Sequence, residues 1–228
     1  MKEYFLLLFM GVTIVLIFCT LIIGRIHDPL VKYAQRLLNV AILAVMARAV
    51  ATMTASELTA SIAFSIFFAC IDWILLLLID FCFIYTNSKK ENLWYHILSA
   101  FVAFDSVTML SNNLTGRVFD CYPVITAGGD FYYRTGQTPL FILHLILCYA
   151  MIVFILYLLI KTTVKSAKVY KAKYYPIMLC LIVIVVWNGI YMFFERKIDT
   201  SVIGYAVLGV VLSYFALVYD PKDVTHNQ

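Results

Sequence analysis

Six polar side chains interrupt long apolar stretches of this sequence, and their types could do chemistry: Arg48, Asp72, Asp80, Asp105, His144 and Asn188. A guanidinium anchors carboxylates and phosphates through its planar fork. Carboxylates hold such a cation or share a proton, and an imidazole accepts or relays one. Trp187 and Tyr191 are four apart and share a helix face beside Asn188, so that stripe, with Tyr149, could line a pocket. Catalysis is harder to support. Asp72 and Asp80 lie eight residues apart, about 12 Å along a helix, which is too far for a shared dyad. No Ser-His, Cys-His or His-Glu-x-x-His pattern occurs, so nothing points to an enzyme in this chain. No CxxC occurs either. Cys19, Cys70, Cys82, Cys148 and Cys180 fall in apolar runs and read as small packing residues, while Cys121 stands alone in a polar loop. No metal or cofactor is expected on these grounds.

The elements that must position these residues are membrane spans. Of the 228 residues, 64% are hydrophobic and only 13% are charged, more apolar surface than a soluble domain of this size can hide. The apolar residues come in runs of roughly 20, the number a helix needs to cross a bilayer. Helices are expected at about 4–24, 33–54, 59–86, 93–111, 139–160, 174–195 and 200–219, because a lipid-embedded backbone must satisfy its own hydrogen bonds. The first run is too long for a secretory signal and lacks a small-residue cleavage site, so it reads as a retained span. Pro176 is expected in the first turn of the sixth span, and Asp220-Pro221 as the stop of the seventh.

Lys and Arg set the orientation. The loops after spans one, three and five, with the C-terminal tail, hold eleven: Arg25, Lys32, Arg36, Lys89, Lys90, Lys161, Lys165, Lys168, Lys171, Lys173 and Lys222. The opposite side holds five: Lys2, Arg117, Arg134, Arg196 and Lys197. That excess places the N-terminus outside and the C-terminus in the cytoplasm. The Lys161–Lys173 cluster reads as an anchor to an anionic inner leaflet, and no nucleic-acid motif accompanies it. Outside, residues 118–134 carry two aromatic and β-branched runs around Gly128-Gly129, the signature of a β-hairpin that could cap the bundle. Asn113-Leu114-Thr115 is a glycosylation sequon only in a eukaryotic secretory setting, and is discounted.

At about 1.5 Å rise per residue, Arg48, Asp72, Asp105, His144 and Asn188 fall in the middle and outer half of the bilayer, on five different helices. Asp80 falls near the inner end, facing a vestibule or a neighbouring helix. Besides a proton or ion pathway, two arrangements fit: an outward-opening polar pocket, or a sealed network in which Arg48 is salt-bridged to Asp72 or Asp105. Both place Arg48 in the bundle interior, because an unpaired guanidinium at that depth costs at least about 2.5 kcal/mol.

Three stretches resemble the N-terminal seven-helix sensor region of bacterial histidine kinases and diguanylate cyclases. The first is Asp72-Trp73 followed by an apolar run to Tyr85-Thr86. The second is Ser111-Asn112-Asn113-Leu114-Thr115-Gly116-Arg117-Val118-Phe119, similar to an Asn-containing turn that leads into an outer hairpin. The third is Thr138-Pro139-Leu140-Phe141-Ile142-Leu143-His144, similar to a Gly-Pro-x-Phe-x-x-His opening of span five, with Tyr149 five residues on. Asn188 and Tyr191 match an Asn-x-x-Tyr of span six. Thr138 replaces the usual Gly, Leu147 stands where a second Tyr is common, and Arg48 has no counterpart.

The resemblance implies an all-α seven-transmembrane bundle in the bacterial inner membrane, with residues 1–219 as sensor and 220–228 as a cytoplasmic tail. Its output domain, a kinase or cyclase working as a homodimer, is expected to lie outside this chain. An unknown small molecule is the expected ligand, held by Arg48, Asp72, Asp105, His144, Tyr149, Trp187, Asn188 and Tyr191. The alternative is a small secondary transporter, which the scarcity of Gly-broken helices and of an internal repeat disfavours. A retinal protein is disfavoured, because span seven carries no lysine between Val202 and Leu217 for a Schiff base.

Overall fold

The computed structural model describes residues 2–26, 28–88, 92–125, 131–165, 168–193 and 200–218. The helices are α1 (Lys2–Ile23), α2 (Pro29–Met53), α3 (Glu57–Tyr85), α4 (Asn92–Leu110), the single turn α5 (Asn112–Thr115), α6 (Pro139–Lys165), α7 (Lys168–Phe193) and α8 (Ser201–Val218). Strands β1 (Cys121–Ile125) and β2 (Phe131–Thr135) form an antiparallel pair between α5 and α6. Six of the helices are long and apolar enough to cross a membrane, and α8 is a shorter apolar helix. Among the described residues, seven apolar helices and one hairpin match the expected architecture.

The elements begin where local chemistry tells them to. Asp28 caps α2 by accepting a hydrogen bond from the Leu30 amide at 2.7 Å, with Pro29 at the first helical position. Ser56 caps α3 through the Thr59 amide at 3.3 Å. Two boundaries differ most from expectation. α6 runs to Lys165 and α7 begins at Lys168, so most of the expected lysine loop is helical. Lysine is a good helix former, and its long stem lets a charged head reach the interface from inside a helix. Pro176 therefore lies inside α7 rather than in its first turn. Asp220-Pro221 and the Gly128-Gly129 tip fall outside the described residues.

α3 is the axis of the bundle. Twenty of its 29 residues are buried, against Phe9, Leu16 and Ile23 alone on α1. α2, α4 and α6 pack around α3, and α8 packs against α1, α2 and α7. Close approach comes from small residues, as in membrane bundles generally. Ala34, Ala41, Ala44, Ala47 and Ala51 line the buried face of α2. On α8, a Cβ added at Gly209 would stand 3.0 Å from Leu38 of α2, and one at Gly204 would stand 2.7 Å from Ile184 of α7.

The hairpin is fastened to the bundle. The Tyr133 hydroxyl donates to the Ala55 carbonyl, in the α2–α3 turn, at 3.1 Å. Buried Asn112 accepts from the Val118 and Phe119 amides at 2.9 and 3.1 Å and donates to the Phe119 carbonyl at 3.0 Å. That is the physical content of the Asn-bearing turn noted in the sequence. Phe119 then packs edge-on against Phe68 of α3 and Phe141 of α6.

Candidate functional site: a cavity beside a buried Asp–His–Cys cluster

His144 and Cys148 are one helical turn apart on α6 and point to the same side. Asp105 and Ser106 are neighbours on α4, and Asp72 faces both helices from α3. Packing brings all five together. His144 Nδ1 lies 2.6 Å from Asp105 Oδ2 and 3.3 Å from Asp72 Oδ1. Ser106 donates to Asp72 Oδ2 at 3.1 Å, and the Cys148 thiol reaches Asp72 Oδ1 at 3.6 Å. Asp72 and His144 are 0% and 1% exposed, so in this setting each polar atom needs a partner and has one.

The expected salt bridge from Arg48 to Asp72 or Asp105 is not formed, since the two carboxylates converge on His144 instead. The reason is azimuth. The Arg48 guanidinium stacks over Phe64 and Phe67 of α3, at 5.0 and 5.7 Å from the ring centroids. At about 100° per residue, Asp72 points some 80° away from Phe64 and 140° away from Phe67. Arg48 is nevertheless inside the bundle, 4% exposed.

Beside the cluster, toward the hairpin, lies a cavity with about 90 Å³ open to the centres of water-sized molecules. That is room for several waters or a small ligand. Arg48, His144, Tyr149, Asn188 and Tyr191 of the expected set line it. The Tyr149 hydroxyl donates to Asn188 Oδ1 at 3.0 Å across the α6–α7 contact. Phe67, Phe68 and Phe141 supply an aromatic wall, and α8 contributes Ser201 and Tyr205. Asp72 and Asp105 stand behind His144 and are not part of the lining. Trp187 is absent from it as well. Half exposed, Trp187 donates to Thr200 Oγ1 at 2.9 Å and borders an outward groove between α7 and α8. Tyr191, one turn on, turns inward.

The roof of the cavity is made by Arg134, Thr135 and Gln137, none of them among the residues expected from the sequence. Arg134 stacks over Tyr191 at 5.6 Å, and its Nε is buried with no hydrogen-bond partner among the described residues. A signal was present: Tyr132 and Arg134 are two apart on a strand, so they share a face, and Tyr132 is buried. Asp80 lies two turns from the cluster and accepts from Tyr95 of α4 at 2.6 Å, so it faces a neighbouring helix.

The family model of the N-terminal 7TM region of histidine kinase matches residues 5–225. The chain belongs to this family. A comparison with curated proteins finds no match. The 7TM region is thus a multi-pass membrane sensor region, and is not itself catalytic.

Proposed function

We propose that this 7TM region is a bacterial inner-membrane receptor whose cavity takes a small molecule carrying a carboxylate or phosphate group. Residues 1–219 form the sensing unit, with the hairpin outside and the lysine-rich end in the cytoplasm. The tail at 220–228 leads toward a kinase or cyclase output, and a homodimer would present two such outputs to each other.

The observation that carries the reading is the Nε of Arg134, buried and without a partner among the described residues, in a cavity that Arg48 also lines. A buried polar group without a partner costs about 1–3 kcal/mol, and an anion held by the guanidinium fork would relieve it. Tyr149, Asn188 and Tyr191 could orient the remainder of the ligand, against the Phe67–Phe68–Phe141 wall. Because Ser201 and Tyr205 are in the lining, a ligand there would touch the first turns of α8, the helix that leads to the tail. It needs only a different affinity for two packings of α8 to pass a signal. Trp187 has no part in this reading, and Asp72 and Asp105 act only through His144.

The test is a thermal-shift screen of small carboxylates and phosphates on the chain in lipid nanodiscs. A ligand at a hundred times its Kd should add about 2.7 kcal/mol of stability. The gain should vanish in Arg134→Ala. A panel in which nothing stabilises the protein, or in which Arg134→Ala responds like wild type, would overturn the reading. Uptake of the same compounds into sealed vesicles would favour the transporter alternative. Orientation is checked by labelling Cys121 and a cysteine placed at Lys168 from each side, and opposite sides are expected. Burial, then the Glu57 carboxylate nearby, pushes the Cys121 thiol up to about 11. Its reactive thiolate therefore grows tenfold per pH unit below that value, and labelling should be run at about pH 9.

A further inference from the structure

The Asp72–His144–Cys148 cluster contains one more ligand type than a hydrogen-bonded charge relay needs. A carboxylate, an imidazole and a thiol, all buried, present donor atoms within 4.8 Å of one another. His144 Nδ1 to Asp72 Oδ1 is 3.3 Å, Cys148 Sγ to Asp72 Oδ1 is 3.6 Å, and Cys148 Sγ to His144 Nδ1 is 3.9 Å. Tetrahedral zinc bonds of about 2.0–2.3 Å to O, N and S give ligand–ligand edges of about 3.3–3.6 Å. The apo cluster is within a few tenths of an ångström of those edges before any relaxation.

We propose that Asp72, His144 and Cys148 bind a zinc-like divalent transition-metal ion, with Asp105 as the fourth ligand. The donor set selects the ion: thiolate and imidazole favour zinc and its neighbours over magnesium or calcium, which prefer all-oxygen sites. Asp105 Oδ2 stands 2.6 Å from Nδ1, a hydrogen-bond separation that must open by about 0.7 Å for both atoms to share a metal. Asp105 can make that movement, being the more exposed of the two acids, 14% against 0%. The Ser106 hydroxyl on Asp72 Oδ2 fixes the remaining carboxylate oxygen, the second layer of contacts that metal sites use to aim their ligands. Access is through the cavity, which His144 and Cys148 both line. Binding expels two protons to cavity water: that of the Cys148 thiol, and that held between His144 Nδ1 and Asp105. The ion would then tie α3, α4 and α6 together. This inference does not rest on anion binding at Arg134.

Cobalt(II) titrated into the chain in nanodiscs tests it. One ion per chain should give tetrahedral visible bands and a thiolate-to-cobalt charge-transfer band, both removed by added zinc. Cys148→Ser should abolish the charge-transfer band, and His144→Asn should abolish tight binding. Asp105→Asn should weaken it by at least about tenfold. Cys180→Ser and Arg134→Ala should leave the spectrum intact, and the latter separates this site from the anion reading. Helical circular dichroism and the metal-free melting temperature of Cys148→Ser show whether that variant folds. A folded wild type that gives no charge-transfer band overturns the proposal. A band that survives in folded Cys148→Ser also overturns it.

Discussion

Asp72 and Asp80 sit on the same helix, both buried, two turns apart, and the molecule treats them differently. Asp72 is met by three side chains from two helices, at the edge of a cavity. Asp80 receives the hydroxyl of Tyr95 in packed surroundings away from that cavity. The residue type alone therefore says little about role. What separates a structural acid from one open to ligand chemistry is whether its partners border a space another molecule can enter. α3 is the bundle's axis at both positions, so the contrast owes nothing to depth of burial.

The contrast can be broken by substitution. Asp72→Ala strips His144 of one acid and leaves the Ser106 hydroxyl unpaired, and breaking buried ionic contacts of this kind costs about 3–5 kcal/mol. The loss should appear as the largest fall in melting temperature of any single change named here. Tyr95→Phe removes only the hydroxyl on Asp80 and should cost about 1–3 kcal/mol, leaving the cavity and its ligand response unchanged. An equal effect of Tyr95→Phe on ligand binding would erase the distinction between the two acids. The double variant should be additive within about 0.5 kcal/mol, because Asp72 and Asp80 lie about 12 Å apart along α3, beyond the range of direct coupling. Trp187→Phe should cost the least, about 0.5–1.5 kcal/mol for one exposed hydrogen bond, and should not alter ligand response.

Much of the fold was legible in the sequence because lipid imposes a simple rule: a run of some 20 apolar residues must be a helix. The hairpin was legible from turn chemistry. The end of α6 and the start of α7 were not, since lysines there looked like loop while the backbone continued as helix. The site was legible to the level of which helices meet, and His144, Tyr149, Asn188 and Tyr191 do gather with Arg48 around one cavity. Which face of α3 meets which neighbour was not legible. Depth alone made Arg48 and Asp72 partners, whereas azimuth assigns Asp72 to His144. Cys148 was read as packing, although its four-residue spacing from His144 was in plain view. Arg134 was counted as a loop charge because strand alternation puts it on the face of Tyr132 without saying where that face docks.

The narrow attachment of α1 has a consequence for biosynthesis. α1 meets the bundle along Phe9, Leu16 and Ile23, one residue every seven, and shows lipid a broad apolar surface that includes Leu7, Ile14, Phe18 and Leu21. A segment so apolar enters the bilayer without help. α2 carries Gln35, Asn39 and Arg48, and a central arginine alone opposes insertion by about 2.5–3.5 kcal/mol. α2 packs against α1 and α3, the helices made immediately before and after it, and later against α8. The order of synthesis thus surrounds the arginine-bearing helix with a waiting partner and an arriving one, and α2 need never face lipid alone for longer than it takes to make α3.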